Sequence, residues 1–150
     1  MRTGGLAPRL QWCVDMCATP PPRILVVDDE EAIRFAVGEF FSTAGYLVDV
    51  ACELADARTL LDRATYAVVI ADLRLSESAG SEGLEVVSYV RERCPSTRII
   101  VLTAYGSPAA EREARRRGVD AFLEKPQPLT EIERIVSDFA RLSHAEACTR

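Results

Sequence analysis

The stretch Ala67-Val-Val-Ile-Ala-Asp72-Leu-Arg-Leu75 limits the fold more than any other part of this chain. It is a short apolar run, rich in Val and Ile, that ends on a carboxylate. It has no period-2 alternation, so it reads as a strand buried on both faces. Strands of that kind belong to parallel sheets covered by helices. Ligands of open α/β sheets bind outside the carboxyl ends of the strands. Asp72 is expected to be the last residue of its strand and to sit at that edge. The question is then whether other strands bring chemistry to the same place.

They do. Arg23-Ile-Leu-Val-Val27 is the first strand and runs into Asp28-Asp29-Glu30-Glu31. A helix follows with Ile33, Val37, Phe40, Phe41 and Ala44 on one face; Phe35 falls off that stripe, and Gly45 stops the helix. Tyr46–Ala51 is the second strand. The second helix is expected from about Glu53 to Ala64, burying Ala55, Leu60 and Leu61. After Asp72 a polar loop leads into a helix from about Gly83 to Arg93, with Leu84, Val87 and Val90 inward. Arg98–Leu102 is the fourth strand, with Thr103 at its carboxyl end. A short helix spans about Pro108 to Arg117, closed by Gly118. Asp120–Glu124 is the fifth strand, followed by Lys125-Pro126. The last helix runs from about Leu129 to Leu142, with Ile132, Ile135, Val136 and Phe139 inward.

Five such repeats of strand and helix imply an α/β fold, a doubly wound (βα)5 unit with a five-stranded parallel sheet. Right-handed crossovers leave few topologies, and the early acidic pair fits the order 2-1-3-4-5. That order makes Asp28, Asp29 and Asp72 neighbours. Taken singly, an Asp pair reads as a solvated turn, a Thr after a strand as structural, and Lys-Pro as a surface turn. Together at one edge they form a constellation. Three close carboxylates raise one another's pKa unless a cation joins them, and Mg2+ with oxygen ligands is the natural partner. Asp72 can then act as a nucleophile on a phosphoryl group, with Lys125 and Thr103 contacting the transferred oxygens.

The runs Ile-Leu-Val-Val-Asp28-Asp29-Glu-Glu, Val-Val-Ile-Ala-Asp72-Leu-Arg-Leu, Leu-Thr103-Ala-Tyr-Gly and Phe122-Leu-Glu-Lys125-Pro126 resemble the motifs of response regulator receiver domains. The resemblance covers residues 23–142 and implies the flavodoxin-like version of this fold. It also implies phosphorylation of Asp72 by a phosphohistidine donor, a sensor histidine kinase or histidine phosphotransferase. Mg2+ would be held by Asp28, Asp29, Asp72 and the backbone carbonyl of Arg74. Thr103 and Phe122 would be the switch pair, and Lys125-Pro126 a cis bond. Arg74 and Tyr105 would flank the phosphorylation site and screen it from water. Phe35 would lie where partners dock. Output would go to a downstream protein, or to a second copy, through the fourth helix, fifth strand and fifth helix. Such a chain is no enzyme in the usual sense; it catalyses only its own phosphorylation and dephosphorylation. The loop after Asp72 is longer than the family norm, and Ser76 stands where a Pro is common.

Two other classes are weighed against this one. A phosphohydrolase of the haloacid dehalogenase type also uses an aspartyl nucleophile with Mg2+, but places it after strand one in an Asp-x-Asp pattern that Asp28-Asp29-Glu30 does not supply. A phosphorylation-independent interaction module would have no need of the acids, Thr103 and Lys125.

The 150 residues suit one core. A net charge of −5 argues against coating nucleic acid. Arg115-Arg116-Arg117 reads as the solvated end of a helix rather than a nucleic-acid patch. No apolar run reaches the ~18 residues of a membrane span, and no secretory signal is read, so the expected compartment is the cytoplasm. Five scattered cysteines make no disulfide framework. Cys13 and Cys17 lack the companions of a metal site; Cys52 and Cys94 are expected buried or half-buried. Residues 1–22, with Trp12 and Pro20-Pro21-Pro22, are expected to form a flexible extension, and 143–150 a tail.

Overall fold

The computed structural model describes residues 20–74 and 82–148. The strands are β1 (Arg23–Val27), β2 (Leu47–Ala51), β3 (Val68–Ala71), β4 (Arg98–Thr103) and β5 (Ala121–Glu124). The helices are α1 (Glu31–Thr43), α2 (Leu54–Arg63), α3 (Glu82–Arg93), α4 (Pro108–Arg116) and α5 (Leu129–Cys148). All strand pairs are parallel, and the sheet order is β2-β1-β3-β4-β5. The expected (βα)5 architecture is therefore the observed one.

The two faces of the sheet carry separate cores, because successive strand residues point to opposite sides. Leu25, Val27, Val69, Ala71, Ile99 and Val101 pack on one side with Ala57, Leu61, Val86, Val87, Val90 and Ala114 from α2, α3 and α4. Ile24, Val26, Val68, Ile70, Ile100 and Leu102 pack on the other with Val37, Phe41, Ile132 and Val136 from α1 and α5. Full burial on both sides is why β1, β3 and β4 read as unbroken apolar runs. Phe41, fully buried against Phe40 and Tyr46 in edge-to-face contacts, anchors the second core. Truncating it to Ala would cost about 3–5 kcal/mol.

Local chemistry places the helix ends. Gly45 follows α1 at φ 103°, a backbone state that side chains disfavour. Ser107 caps α4: its Oγ accepts from the Ala110 N–H at 3.0 Å, with Pro108 in the first turn.

Several expectations need correction. β3 stops at Ala71, so Asp72 is the residue after the strand, and Thr103 lies within β4. α2 turns Leu54 and Ala57 inward and leaves Ala55 exposed, because the larger Leu54 takes the inward position one turn before Ala57. Ala44 is exposed, since it caps α1 rather than extending its stripe. α5 continues past Leu142 to Cys148; the added Ser-His-Ala-Glu-Ala-Cys has no helix breaker. Cys52 is exposed and Cys94 half-buried. Pro22 is tied to the sheet, its carbonyl accepting from the Leu47 N–H at 3.0 Å. Trp12, Cys13, Cys17, Ser76 and most of the long loop after Asp72 lie outside the described residues.

Candidate phosphoacceptor site

Strand register assembles the site. Val27 of β1 pairs with Ala71 of β3, so the residues that follow, Asp28 and Asp72, emerge side by side. The Asp72 N–H donates to the Val27 carbonyl at 3.0 Å, which extends the ladder one step past the strands. Thr103 pairs with Glu124, and the Lys125 N–H donates to the Thr103 carbonyl at 2.8 Å. The Lys125-Pro126 peptide is cis. The four strand ends thus deliver their side chains to one edge.

Asp28 and Asp72 are 3% and 6% exposed, and Thr103 is fully buried. Lys125 Nζ donates to Asp28 Oδ2 at 2.7 Å and to Asp72 Oδ2 at 3.0 Å, bridging the two buried acids. Asp28 Oδ1 accepts from the Glu30 N–H at 2.9 Å, and Asp72 Oδ1 from the Arg74 N–H at 3.2 Å. Burial pushes the Asp28 carboxyl above its usual range, against the pull of the Lys125 ammonium and the Glu30 N–H; the Asp72 charge adds to the rise. For Lys125, burial acts to lower the pKa, but hydrogen bonds to Asp28 and Asp72 outweigh it and hold the ammonium above its usual value.

Asp29 is exposed at the rim. Asp28, Asp29 and Asp72 each offer a carboxylate oxygen, and the three oxygens lie within 4.8 Å of one another. Ligands 2.0–2.1 Å from a single ion lie at most about 4.2 Å apart. Three acids against one ammonium leave a net negative cluster of oxygen donors. Donor type and charge fit a small hard dication, which would draw the three oxygens in from the 4.8 Å limit.

The remaining expected residues fall around this centre. The Thr103 hydroxyl accepts from the Tyr105 N–H at 3.1 Å. Tyr105 is exposed, and the Arg74 guanidinium lies 4.2 Å from its ring centroid, a cation–π pair beside the acids. Phe122 is not at the cluster. It pairs with Val101 one sheet position back and packs half-buried on the core beneath α2, α3 and α4. Phe35 is 69% exposed on α1, beside Val50 in a shallow groove. The Arg115–Arg117 run is paired internally: Arg115 with Glu111, and Arg116 and Arg117 with Glu113.

Two contributors were not singled out from the sequence. Arg34 Nη1 donates to the Asp28 carbonyl at 2.7 Å and fixes the turn that carries the acids. Gly83 lies against the backbone of Asp72 and Leu73; a Cβ there would meet the Asp72 carbonyl oxygen at 2.1 Å and Leu73 Cα at 2.5 Å. A glycine opening a helix just after a functional strand end was the available signal.

Comparison with known proteins places this chain beside response regulators. The model for the response regulator receiver domain matches residues 24–137. The photosynthetic apparatus regulatory protein RegA of Cereibacter sphaeroides is 32% identical over 109 residues, covering 73% of this chain and 58% of that protein. The response regulator protein PilR of Pseudomonas aeruginosa is 32% identical over 125 residues, covering 83% of this chain and 27% of PilR. This chain therefore spans little more than half of one relative and about a quarter of the other. Among solved structures, a response regulator of Burkholderia pseudomallei with a phosphorylated aspartic acid, calcium ion and citrate aligns at TM-score 0.72 and 28% identity, over 84% of this chain and 72% of that one. A buried acid pair bridged by a lysine, on this sheet order and with these relatives, has one reading: the chain belongs to the response regulator receiver domain family of two-component signalling.

Proposed function

We propose that Asp72 accepts a phosphoryl group from a phosphohistidine on a sensor histidine kinase or histidine phosphotransferase. The bridging of Asp28 and Asp72 by Lys125 Nζ, at 2.7 Å and 3.0 Å, carries this reading. It sets a nucleophilic carboxylate, a second acid and a mobile cation within bonding distance in a buried pocket. Asp28, Asp29, Asp72 and the Arg74 carbonyl are the residues that would hold Mg2+. When bound, that ion supplies charge neutralisation for the acids and for the incoming phosphoryl oxygens.

The Asp72 carboxylate oxygen attacks phosphorus, the P–N bond breaks, and the electron pair leaves with the donor imidazole. The product is an acyl phosphate on Asp72, which water later cleaves to return the carboxylate and inorganic phosphate. Lys125 gives up its hold on Asp72 and pairs with a phosphoryl oxygen. The buried Thr103 hydroxyl releases the Tyr105 N–H and donates to another. That withdrawal leaves room for Phe122 to turn inward, which alters the face made of α4, β5 and α5. A downstream protein, or a second copy of the chain, reads that face as a population shift between two packings. Phe35, off the core stripe of α1 and close to the acids in sequence, supplies an apolar contact for the donor. No helix among the described residues is long and apolar enough to cross a membrane.

Incubation with acetyl phosphate and Mg2+ tests the reading directly. The intact protein gains the mass of one phosphoryl group, and Asp72→Ala gains none. Labelling that survives in Asp72→Ala but is lost in Asp28→Ala would assign the chemistry to the acid after β1, as in a dehalogenase-type phosphohydrolase.

A further inference from the structure

The opposite, amino edge of the sheet holds a feature that phosphoryl chemistry does not use. A cavity of about 710 Å³ opens there, in the size range of small-ligand pockets. Its walls include Leu47 at the start of β2, Tyr66 before β3, Gly45 after α1, and Ala140 and Ser143 of α5. Pro20, Pro21 and Pro22 also line it, so the described chain enters the fold from inside the cavity. Leu47 is 43% exposed there. Ser143 Oγ is buried and has no hydrogen-bond partner among the described residues. A buried polar atom without a partner costs about 1–3 kcal/mol, so the cavity has both apolar surface to cover and a polar atom to satisfy.

Residues 1–19 lie immediately upstream. Their most apolar piece is Leu10-Gln-Trp-Cys-Val14, which holds the only tryptophan of the chain. Seven residues lie between Trp12 and Pro20, and the eight Cα-to-Cα steps reach up to about 26 Å. A short tether confers an effective concentration on the order of millimolar. Indole combines a large apolar body with a single N–H donor that seeks an acceptor when buried. Ser143 Oγ is such an acceptor.

We propose that residues 10–14 fold back into this cavity, with Trp12 seated between the start of β2 and the last turns of α5. The segment then braces α5, one of the elements of the proposed output face, from the end opposite the acid cluster.

Because Trp12 is the sole tryptophan of the 150 residues, its fluorescence in this chain reports this site alone. The expected emission is blue-shifted and shielded from acrylamide, independent of protein concentration, and shifts red in Ala140→Arg and in Leu47→Lys. Trp12→Ala is expected to lower Tm by about 3 °C. Ala140→Arg is expected to lower it no further in that background, which separates loss of docking from damage to α5. Should Ala140→Arg fail to fold, Leu47→Lys, at an already exposed position, gives the same reading. Emission matching the denatured chain would overturn the proposal. So would shielding that appears only as concentration rises, which would assign the cavity to a second copy. Shielding that neither substitution disturbs would place Trp12 elsewhere.

Discussion

The two edges of one sheet handle charge in opposite ways. At the amino edge, opposite charges meet in pairs. Asp49 accepts from Tyr66 at 2.7 Å and Arg23 at 3.1 Å. Asp120 accepts from Arg91 at 2.6 Å and the Ile99 N–H at 2.8 Å, with Arg98 at 3.5 Å. Thr97 donates to the Tyr66 carbonyl at 2.7 Å. At the carboxyl edge, three acids crowd one lysine. The same β-strand ladder thus ends in paired charges on one side and in an unbalanced cluster on the other. Such imbalance is what the proposed binding of a cation and a phosphoryl group at this edge would use. The amino edge holds the sheet together, and the carboxyl edge carries the proposed chemistry.

The largest effect should come from removing the cation that bridges the two buried acids. Lys125→Met leaves two buried carboxylates facing each other and is expected to cost about 3 kcal/mol in metal-free buffer. Millimolar Mg2+ should recover most of that loss, because a ligand that binds only the folded state stabilises it. Urea titrations with and without Mg2+ measure both values. A loss that Mg2+ does not relieve would mean that the acids do not share an ion.

Asp120→Ala provides the matching break at the structural edge. It strips Arg91 of its carboxylate partner and leaves the Ile99 N–H without its acceptor. The expected cost is about 2 kcal/mol. Unlike the lysine variant it should show no response to Mg2+, and acetyl phosphate labelling of the folded fraction should stay normal. A Mg2+ response would remove the distinction between the edges.

How much of this was legible beforehand also differs between the edges. The working edge was readable because its chemistry follows strand ends: Asp28, Asp29, Asp72, Thr103 and Lys125 each stand at or just after an apolar run. Sheet order then brought them together. Arg34 and Gly83 were harder to see, because each acts on a backbone carbonyl and only the close approach of two segments reveals the need. The amino edge was barely readable. Asp49 sits inside a strand, Tyr66 in a turn and Asp120 before a strand, and nothing in their spacing says that they meet arginines distant in sequence. The misread face of α2 has a similar cause. Leu60 and Leu61 leave a one-residue ambiguity in helical phase, and only packing against the sheet chooses Ala57 over Ala55.

A smaller effect is expected where the working edge meets solvent. We propose that the stacked Arg74 and Tyr105 shield the acyl phosphate on Asp72 from water. The Arg74→Ala, Tyr105→Ala double variant is expected to lose its phosphoryl group about threefold faster, in keeping with a cation–π pair of about 0.5–1 kcal/mol. Phosphate release after removal of the donor measures the rate. Equal decay in both proteins would show that the pair does not guard the site.

The effect at Tyr66, at the amino edge, is modest at neutral pH and has a pH signature of its own. Burial, and then the hydrogen bond to Asp49, push the Tyr66 phenol above its ordinary value of 10. The folded protein therefore keeps this proton to higher pH than the unfolded chain does. Between the two values the folded state binds more protons, so stability falls as pH rises. The contribution is fully present below about pH 10 and is lost as pH climbs through the raised folded value. Tyr66→Phe keeps the buried ring and removes the phenol, at a cost of about 1 kcal/mol near pH 7. Its unfolding free energy should then decline less steeply above pH 10 than that of the intact protein, and the two curves should converge. Parallel curves would mean that Asp49 does not hold the phenol, and the amino edge would lose one of the pairings that set it apart from the acid cluster.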